Sequence, residues 1–421
     1  MTKRKYSILI PTRSRVDYLR HAILTAVRAG ERCVSDFEVI VADNASDDDT
    51  PRLAAEIQSP HVRWLRSEQR LSMRANFQRA LDASTGTHIC FIGDDDGMNL
   101  EGLAFLDRLL DDTDALVVQW PQVNYRWPHL EGGTVKVRFS DVTGLFSNVD
   151  VVQIIGNIRR ADFFDYHIGG NIYHGCVARK VIEDAVGRDG APFFHATSPD
   201  VYAAMQTLFF ADGRMVRARF PVSLGGASPR SNGASSQRQS GEEKSEEFRS
   251  FVAEAMTDPV GTSLPNDCRS ISMITLDAFL HVCRRHGEDD SFDKVAWCNR
   301  IEAELAFLNS EERERHLDYA RQLLGDNRLG SQSAQASAIS EGVAFSGTPN
   351  RLHRQYRMKL TSVSVVGGPL MRDLTAATEF IDRLAVDAAQ VRPTRSRFVH
   401  GFRSMRALFK GIALNALNST G

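Results

Sequence analysis

Over its first 120 residues the chain alternates between two hydrophobic periods. Tyr6 to Ile10 (YSILI) is a nearly continuous apolar run, the pattern of a strand buried on both faces of a parallel sheet. Leu19, Ala22, Ile23, Ala26 and Val27 then recur at spacings of three and four, which predicts a helix, with Gly30 as its stop. Phe37 to Ala42 (FEVIVA) reads as a second strand. Thr50 and Pro51 supply a cap and a first-turn proline for a helix reaching about Gln58. Val62 to Arg66 is a third strand, Met73 to Leu81 carry another helical stripe, and Ile89 to Ile92 form a fourth strand. A helix over Leu100 to Leu110 and a strand over Ala115 to Trp120 complete the series.

Strands and helices that alternate over short connections predict an α/β fold, a parallel sheet covered by helices through right-handed crossovers. Such sheets bind ligands at the carboxyl ends of their strands. Polar clusters stand at those ends: Thr12 to Arg15 after the first strand, Asp43 and Asn44 after the second, Arg70 after the third, and Asp94, Asp95 and Asp96 after the fourth. Three adjacent carboxylates repel one another unless a cation or water screens them. Their convergence with three other polar loops on one edge is the main physical pointer to function.

Beyond residue 121 the pattern is mixed and aromatic-rich. The run from Asn171 to Val186 reads as a loop or short strand entering a helix. The run from Phe193 to Phe210 reads as a loop, capped by Ser198 or Asp200, leading into a buried helix. Residues 231–246 are rich in glycine and serine and are expected to be a linker between a catalytic domain, 1–230, and a helical accessory region, 247–421.

Composition narrows the classes. The 421 residues are 42% hydrophobic and 25% charged, which is ordinary for a globular chain of two or three domains. A net charge of -2 gives no general attraction for nucleic acid. The six cysteines form no Cys-x-x-Cys pair and are expected to be reduced structural thiols. No stretch approaches the roughly 18 apolar residues of a membrane span; a cytoplasmic protein is expected. One basic segment, Arg392 to Lys410, carries six basic and no acidic residues among five large apolar ones. It would suit peripheral contact with anionic lipid, or equally a helix packed on the domain with a solvated basic face.

The ordered set SILIPTRSR, EVIVADNASDDDT, NFQRALDASTGTHICFIGDDD and TSPDVYAAM resembles glycosyltransferase family 2, the inverting enzymes of GT-A fold, over roughly residues 5 to 225. The resemblance implies a nucleoside-diphosphate sugar as donor, most readily a UDP-sugar, and a glycan or glycolipid hydroxyl as acceptor. It implies Mg²⁺ or Mn²⁺ bound by Asp95 and Asp96. Thr12, Arg15, Asp43, Arg70 and Asp94 would line the donor site, and Asp200 would be the catalytic base. Divalent ions of this kind take hard oxygen ligands, typically one or two carboxylates with phosphate oxygens and water. The chain departs from the family pattern where Ala45 replaces a usual glycine, where Gly93 precedes three aspartates, and where Pro199 leaves Asp200 as a single acid. His174 and His195 lie nearby, but a lone histidine is more often structural, and neither is assigned a catalytic role. Two other functions share parts of the pattern. A sugar nucleotidyltransferase would want a glycine-rich phosphate loop after the first strand, and ILIPTRSRVDYL has no glycine. A non-catalytic sugar-nucleotide or glycan-binding scaffold would have no need of the acid cluster or Asp200.

Overall fold

The computed structural model describes residues 4–121, 123–127, 134–139, 146–163, 167, 169–218, 220–228, 246–306, 308–325, 361–366, 374–375 and 377–378. Residues 231–245 of the expected linker and the basic segment Arg392 to Lys410 lie outside them. The first half runs β1 (Lys5–Thr12), α1 (Val16–Arg32), β2 (Asp36–Asp43), α2 (Thr50–Glu56), β3 (Val62–Arg66), α3 (Met73–Ala83), β4 (His88–Phe91), β5 (Gly97–Met98), α4 (Gly102–Asp111) and β6 (Val117–Gln119). Then come β7 (Val123–Arg126), β8 (Thr134–Phe139), β9 (Phe146–Asn148), α5 (Val151–Arg159), β10 (Gly175–Ala178), α6 (Arg179–Gly187), α7 (Pro199–Phe210), β11 (Met215–Ala218) and β12 (Ser223–Ala227). Four helices follow, α8 (Glu246–Met256), α9 (Ile271–His286), α10 (Lys294–Leu305) and α11 (Ser310–Leu324), and then a strand, β13 (Thr361–Val366).

The main sheet has the order β3-β2-β1-β4-β10-β6-β11-β9. β1, β2, β3 and β4 pair in parallel, as the strand–helix alternation predicts. The apolar runs are buried on both faces, and successive residues divide between two cores. Leu9, Ile40, Ala42, Ile89 and Phe91 face one side, while Ile8, Ile10, Val39, Val41, Cys90 and Ile92 face the other. β10 is the departure: it enters antiparallel between β4 and β6. A second sheet, β13-β8-β7-β12-β5, stands beside the end of β4.

Gly30 does not stop α1. The helix continues to Arg32, and Gly30 lies buried where a Cβ would come within 2.3 Å of the Phe37 ring. The glycine serves close helix–strand packing, which has the same sequence signature as a stop.

The C-terminal helices continue the core of the sheet domain. Side chains of α9, α10 and α11 share one apolar cluster with α3, α5, α6, α7 and one face of the sheet. Trp297 of α10 is fully buried, and its indole N–H donates to the carbonyl of Ile158 at 3.0 Å. Arg300 stacks over Phe163, 4.1 Å from the ring centre. Local chemistry sets the helix limits: Ser270, Asp293 and Asn309 accept from the N–H three residues on, and Gly287 and Gly325 end their helices with positive φ. The six cysteines are free thiols, four of them buried. Among the described residues no helix is long and apolar enough to cross a membrane.

Candidate functional site

The register of the parallel strands builds the site. Thr12 at the end of β1 pairs with Asp43 at the end of β2, and Asp43 with Arg66 at the end of β3. β4 delivers the acids to the same level, since Leu9, three residues before Thr12, pairs with Phe91, three residues before Asp94. Thr12 Oγ1 therefore donates to Asp94 Oδ2 at 2.8 Å, and Arg15 donates to Asp94 Oδ1 at 2.9 Å. In the second loop the Ser46 N–H donates to Asp43 Oδ1 at 2.9 Å, Arg66 pairs with Asp43 Oδ2, and the Ser14 N–H donates to Ser46 Oγ at 2.8 Å. Asp43 is thus the buried hinge of an Asx turn as well as a donor-site candidate. Arg70 pairs with Asp47 at 2.8 Å on the exposed rim, where such a pair contributes little stability.

The three acids are buried and differ in their partners. Asp96 is enclosed: Oδ1 accepts from the Gly226 N–H at 2.7 Å, and Oδ2 from the Gly93 N–H at 2.5 Å, the Tyr173 hydroxyl at 2.6 Å and His174 Nε2 at 3.1 Å. Burial alone would raise its pKa, but His174, Tyr173 and Gly226 outweigh it and hold the carboxyl below its ordinary range. Asp95 Oδ2 accepts from Ser228 Oγ at 2.6 Å and its N–H at 3.3 Å, and the Asp95 carbonyl accepts from the Trp127 indole at 3.1 Å. Asp95 Oδ1 accepts no hydrogen bond from a described residue. Burial, then the neighbouring Asp96 and Asp94, push Asp95 up to about 7, against Arg15 and Ser228. A carboxylate in that position gains from a cation. The donor set fits a hard divalent ion, although among the described residues no group of three or more histidine, cysteine or acidic side chains is placed to hold one alone. Such an ion would need phosphate or water oxygens as well.

Three backbone positions in these loops have positive φ without being glycine: Ser14 at 50°, Ala45 at 51° and His174 at 52°. Conformations of this kind cost energy and gather at functional sites. Behind the acids, Phe77 stacks on Phe91 at 4.9 Å, and Phe194 stands edge-on to both.

Asp200 stands on another element. It is the second residue of α7, half-buried, after Pro199 in the first turn. α7 feeds β11, which runs parallel to β6, so the helix runs back along the sheet and begins at the carboxyl edge. The link to the acids passes through the loop before β10: the Gly170 N–H donates to the Ala204 carbonyl at 2.9 Å, and Tyr173 of that loop reaches Asp96. Thr12, Arg15 and Asp94 form one bonded group with Asp95 and Asp96 beside it. Asp43 and Arg70 belong to the adjoining loop network.

Arg66, Tyr173, His174, Gly226, Ser228 and Trp127 complete the site and were not assigned from sequence. Arg66 could have been found from the strand-end alignment. The others come from β7, β12 and the loop before β10, whose pairing with the acid turn is non-local. Gly226 has to be glycine, since a Cβ there would lie 1.7 Å from the Asp95 carbonyl oxygen.

The family model for Glycosyl transferase family 2 matches residues 7–186. Uncharacterized protein MT1568 of Mycobacterium tuberculosis is 35% identical over 77 residues, 18% of this chain and 24% of that one, so the match spans about a quarter of that relative's length. Two crystal structures of S. aureus TarS 1–349 are similar at 17% identity over 77% of this chain and 89% of theirs. Their TM-scores are 0.43 for TarS alone and 0.44 for its complex with UDP-GlcNAc. The matched segment holds the first four strands, their polar ends and the acid turn, so the likeness of residues 7–186 to glycosyl transferase family 2 covers the elements that build the site.

Proposed function

We propose that the chain transfers a sugar from a nucleoside-diphosphate sugar to a hydroxyl acceptor, with inversion and with a divalent cation at the acid turn. The observation that carries this reading is the bonded convergence of the first and fourth strand ends on Asp94, with Asp95 Oδ1 left open beside it. Thr12 and Arg15 hold Asp94, and Asp43 with Arg66 borders the space for the nucleoside. Mg²⁺ or Mn²⁺, when bound, would neutralise charge developing on the departing diphosphate. Asp95 is the residue placed to hold it.

In the transfer the acceptor oxygen forms a bond to the anomeric carbon as the bond from that carbon to the diphosphate breaks. Asp200 takes the acceptor's proton. The buried helix on which it stands, which opens on Pro199 without the side-chain cap expected from Ser198 or Asp200, would fix that carboxylate. A surface glycan or glycolipid acceptor is part of the proposal and rests on the family alone.

The test is radiolabelled transfer from a panel of UDP- and GDP-sugars to glycan and glycolipid hydroxyls. Asp200→Asn is expected to lower turnover by a factor of about 100 or more while donor affinity stays within twofold or so. Unchanged turnover would remove Asp200 from the mechanism. Affinity without turnover in the unaltered chain, across the panel, would favour the binding scaffold.

A further inference from the structure

His174 lies at the junction of a hydrogen-bonded chain that runs from Trp120 through Ser223 to the acids. The Trp120 indole N–H, which can only donate, gives a 2.9 Å bond to Ser223 Oγ. Ser223 Oγ lies 2.8 Å from His174 Nδ1, and His174 Nε2 lies 3.1 Å from Asp96 Oδ2. A bare ring nitrogen cannot face a carboxylate oxygen at that distance without repulsion, so Nε2 carries a proton whether or not Nδ1 does. The chain joins β6, β12 and the loop before β10 to the last acid. His174 adopts a φ of 52° to reach it. Both oxygens of Asp96 are thereby occupied by protein donors. They differ from Asp95 Oδ1, which no described residue bonds. The main chain of Asp95 is pinned separately, through its carbonyl, by Trp127.

We propose, building on the function proposed above, that His174 is a positioning residue: its Nε2–H anchors Asp96 as a structural carboxylate, and the acid turn thus held presents Asp95, not Asp96, to the cation. Asp96 then differs in kind from its neighbour. It sets the shape of the turn, while Asp95 supplies the ligand oxygen.

The experiment is calorimetric titration of UDP and of GDP into the full chain at increasing Mn²⁺, with melting temperature recorded for each variant. His174→Leu is expected to raise the Mn²⁺ needed for half-maximal nucleotide binding by a factor of about 10 or more. His174→Gln, whose amide can donate from nearly the same place, should recover most of that loss. Asp95→Asn should abolish the Mn²⁺ dependence, and Asp96→Asn should only weaken it. The last pair decides the matter even if His174→Leu fails to fold. Abolition in Asp96→Asn with Mn²⁺ dependence kept in Asp95→Asn would overturn the inference, as would a His174→Gln variant no better than a folded His174→Leu. An unaltered chain that binds neither nucleotide with Mn²⁺ would instead overturn the underlying reading.

Discussion

Ala45 has a φ of 51°, a conformation a side chain tolerates poorly and glycine adopts freely. It lies in the turn organised by Asp43, whose Oδ1 accepts from the Ser46 N–H. Ala45→Gly is therefore expected to raise stability by about 0.5–1 kcal/mol, read as a higher denaturant midpoint. A lower midpoint would mean that the turn relies on the alanine methyl. The neighbouring acids were legible as a cluster because they are contiguous, and Thr12, Arg15 and Asp43 because each ends an apolar run. Their separate roles were not legible. Whether a carboxylate is enclosed or open depends on Gly226 and Ser228, more than 125 residues away. No local pattern carries that information. His174 showed the same limit: as one histidine in a loop it looked ordinary, and its meaning comes from Ser223 and Asp96.

At the scale of elements, β1, β2 and β4 declared themselves because buried parallel strands are nearly continuous apolar runs, whereas β3 is a half-exposed edge strand that shows only Val62, Trp64 and Leu65. β10 was legible only as a loop or short strand entering a helix; its antiparallel place between β4 and β6 was not, since the four residues Gly175 to Ala178 are too short to show a period and their partners are remote. β12, five residues long and glycine-bearing, is also short, yet it closes against the acid turn. Gly226→Ala should abolish Mn²⁺-dependent nucleotide binding, because the methyl would force the Asp95 carbonyl away. Binding of unaltered strength in that variant would show that the acid turn can shift without loss. The packing of α10 makes a separate prediction. Trp297→Ala removes a fully buried ring and an indole hydrogen bond, and should cost about 3–5 kcal/mol. Followed by circular dichroism, the loss should lower the midpoint of the whole transition, because α10 shares its core with α5 and the sheet. An early melting step confined to the C-terminal helices would contradict the shared core.

Taken whole, the molecule holds several histidines neutral in its interior. Burial, with Arg285 and His281, lowers His195 to about 4, and burial, with Arg285 and Arg188, lowers His286 to about 4. Neither ring makes a hydrogen bond among the described residues. Unfolding restores an ordinary value near 6.5, so between about pH 6.5 and 4 the unfolded chain binds more protons than the folded one. Stability is therefore complete above that window and falls as pH falls through it. Urea denaturation at pH 7 and pH 5 should show a loss of about 1–2 kcal/mol for each of these two histidines. Asp95, raised to about 7, acts with the opposite sign over the same window, so the comparison that decides is with the variants: a pH dependence unchanged by substituting these histidines would contradict their buried, neutral state. This effect belongs to the core shared by α6, α7 and α9, and it is separable from the acid turn by substituting His195 or His286 with phenylalanine, which should flatten the dependence.

The account stands most directly on what the acid turn binds. The decisive measurement is calorimetric titration of the full chain with UDP and with GDP, each in Mn²⁺ and in EDTA, beside Asp95→Ala. The account predicts that one nucleotide binds, that EDTA abolishes the binding, and that Asp95→Ala abolishes it without lowering the melting temperature. Nucleotide binding that is indifferent to both EDTA and Asp95→Ala, or no binding of either nucleotide, would contradict it.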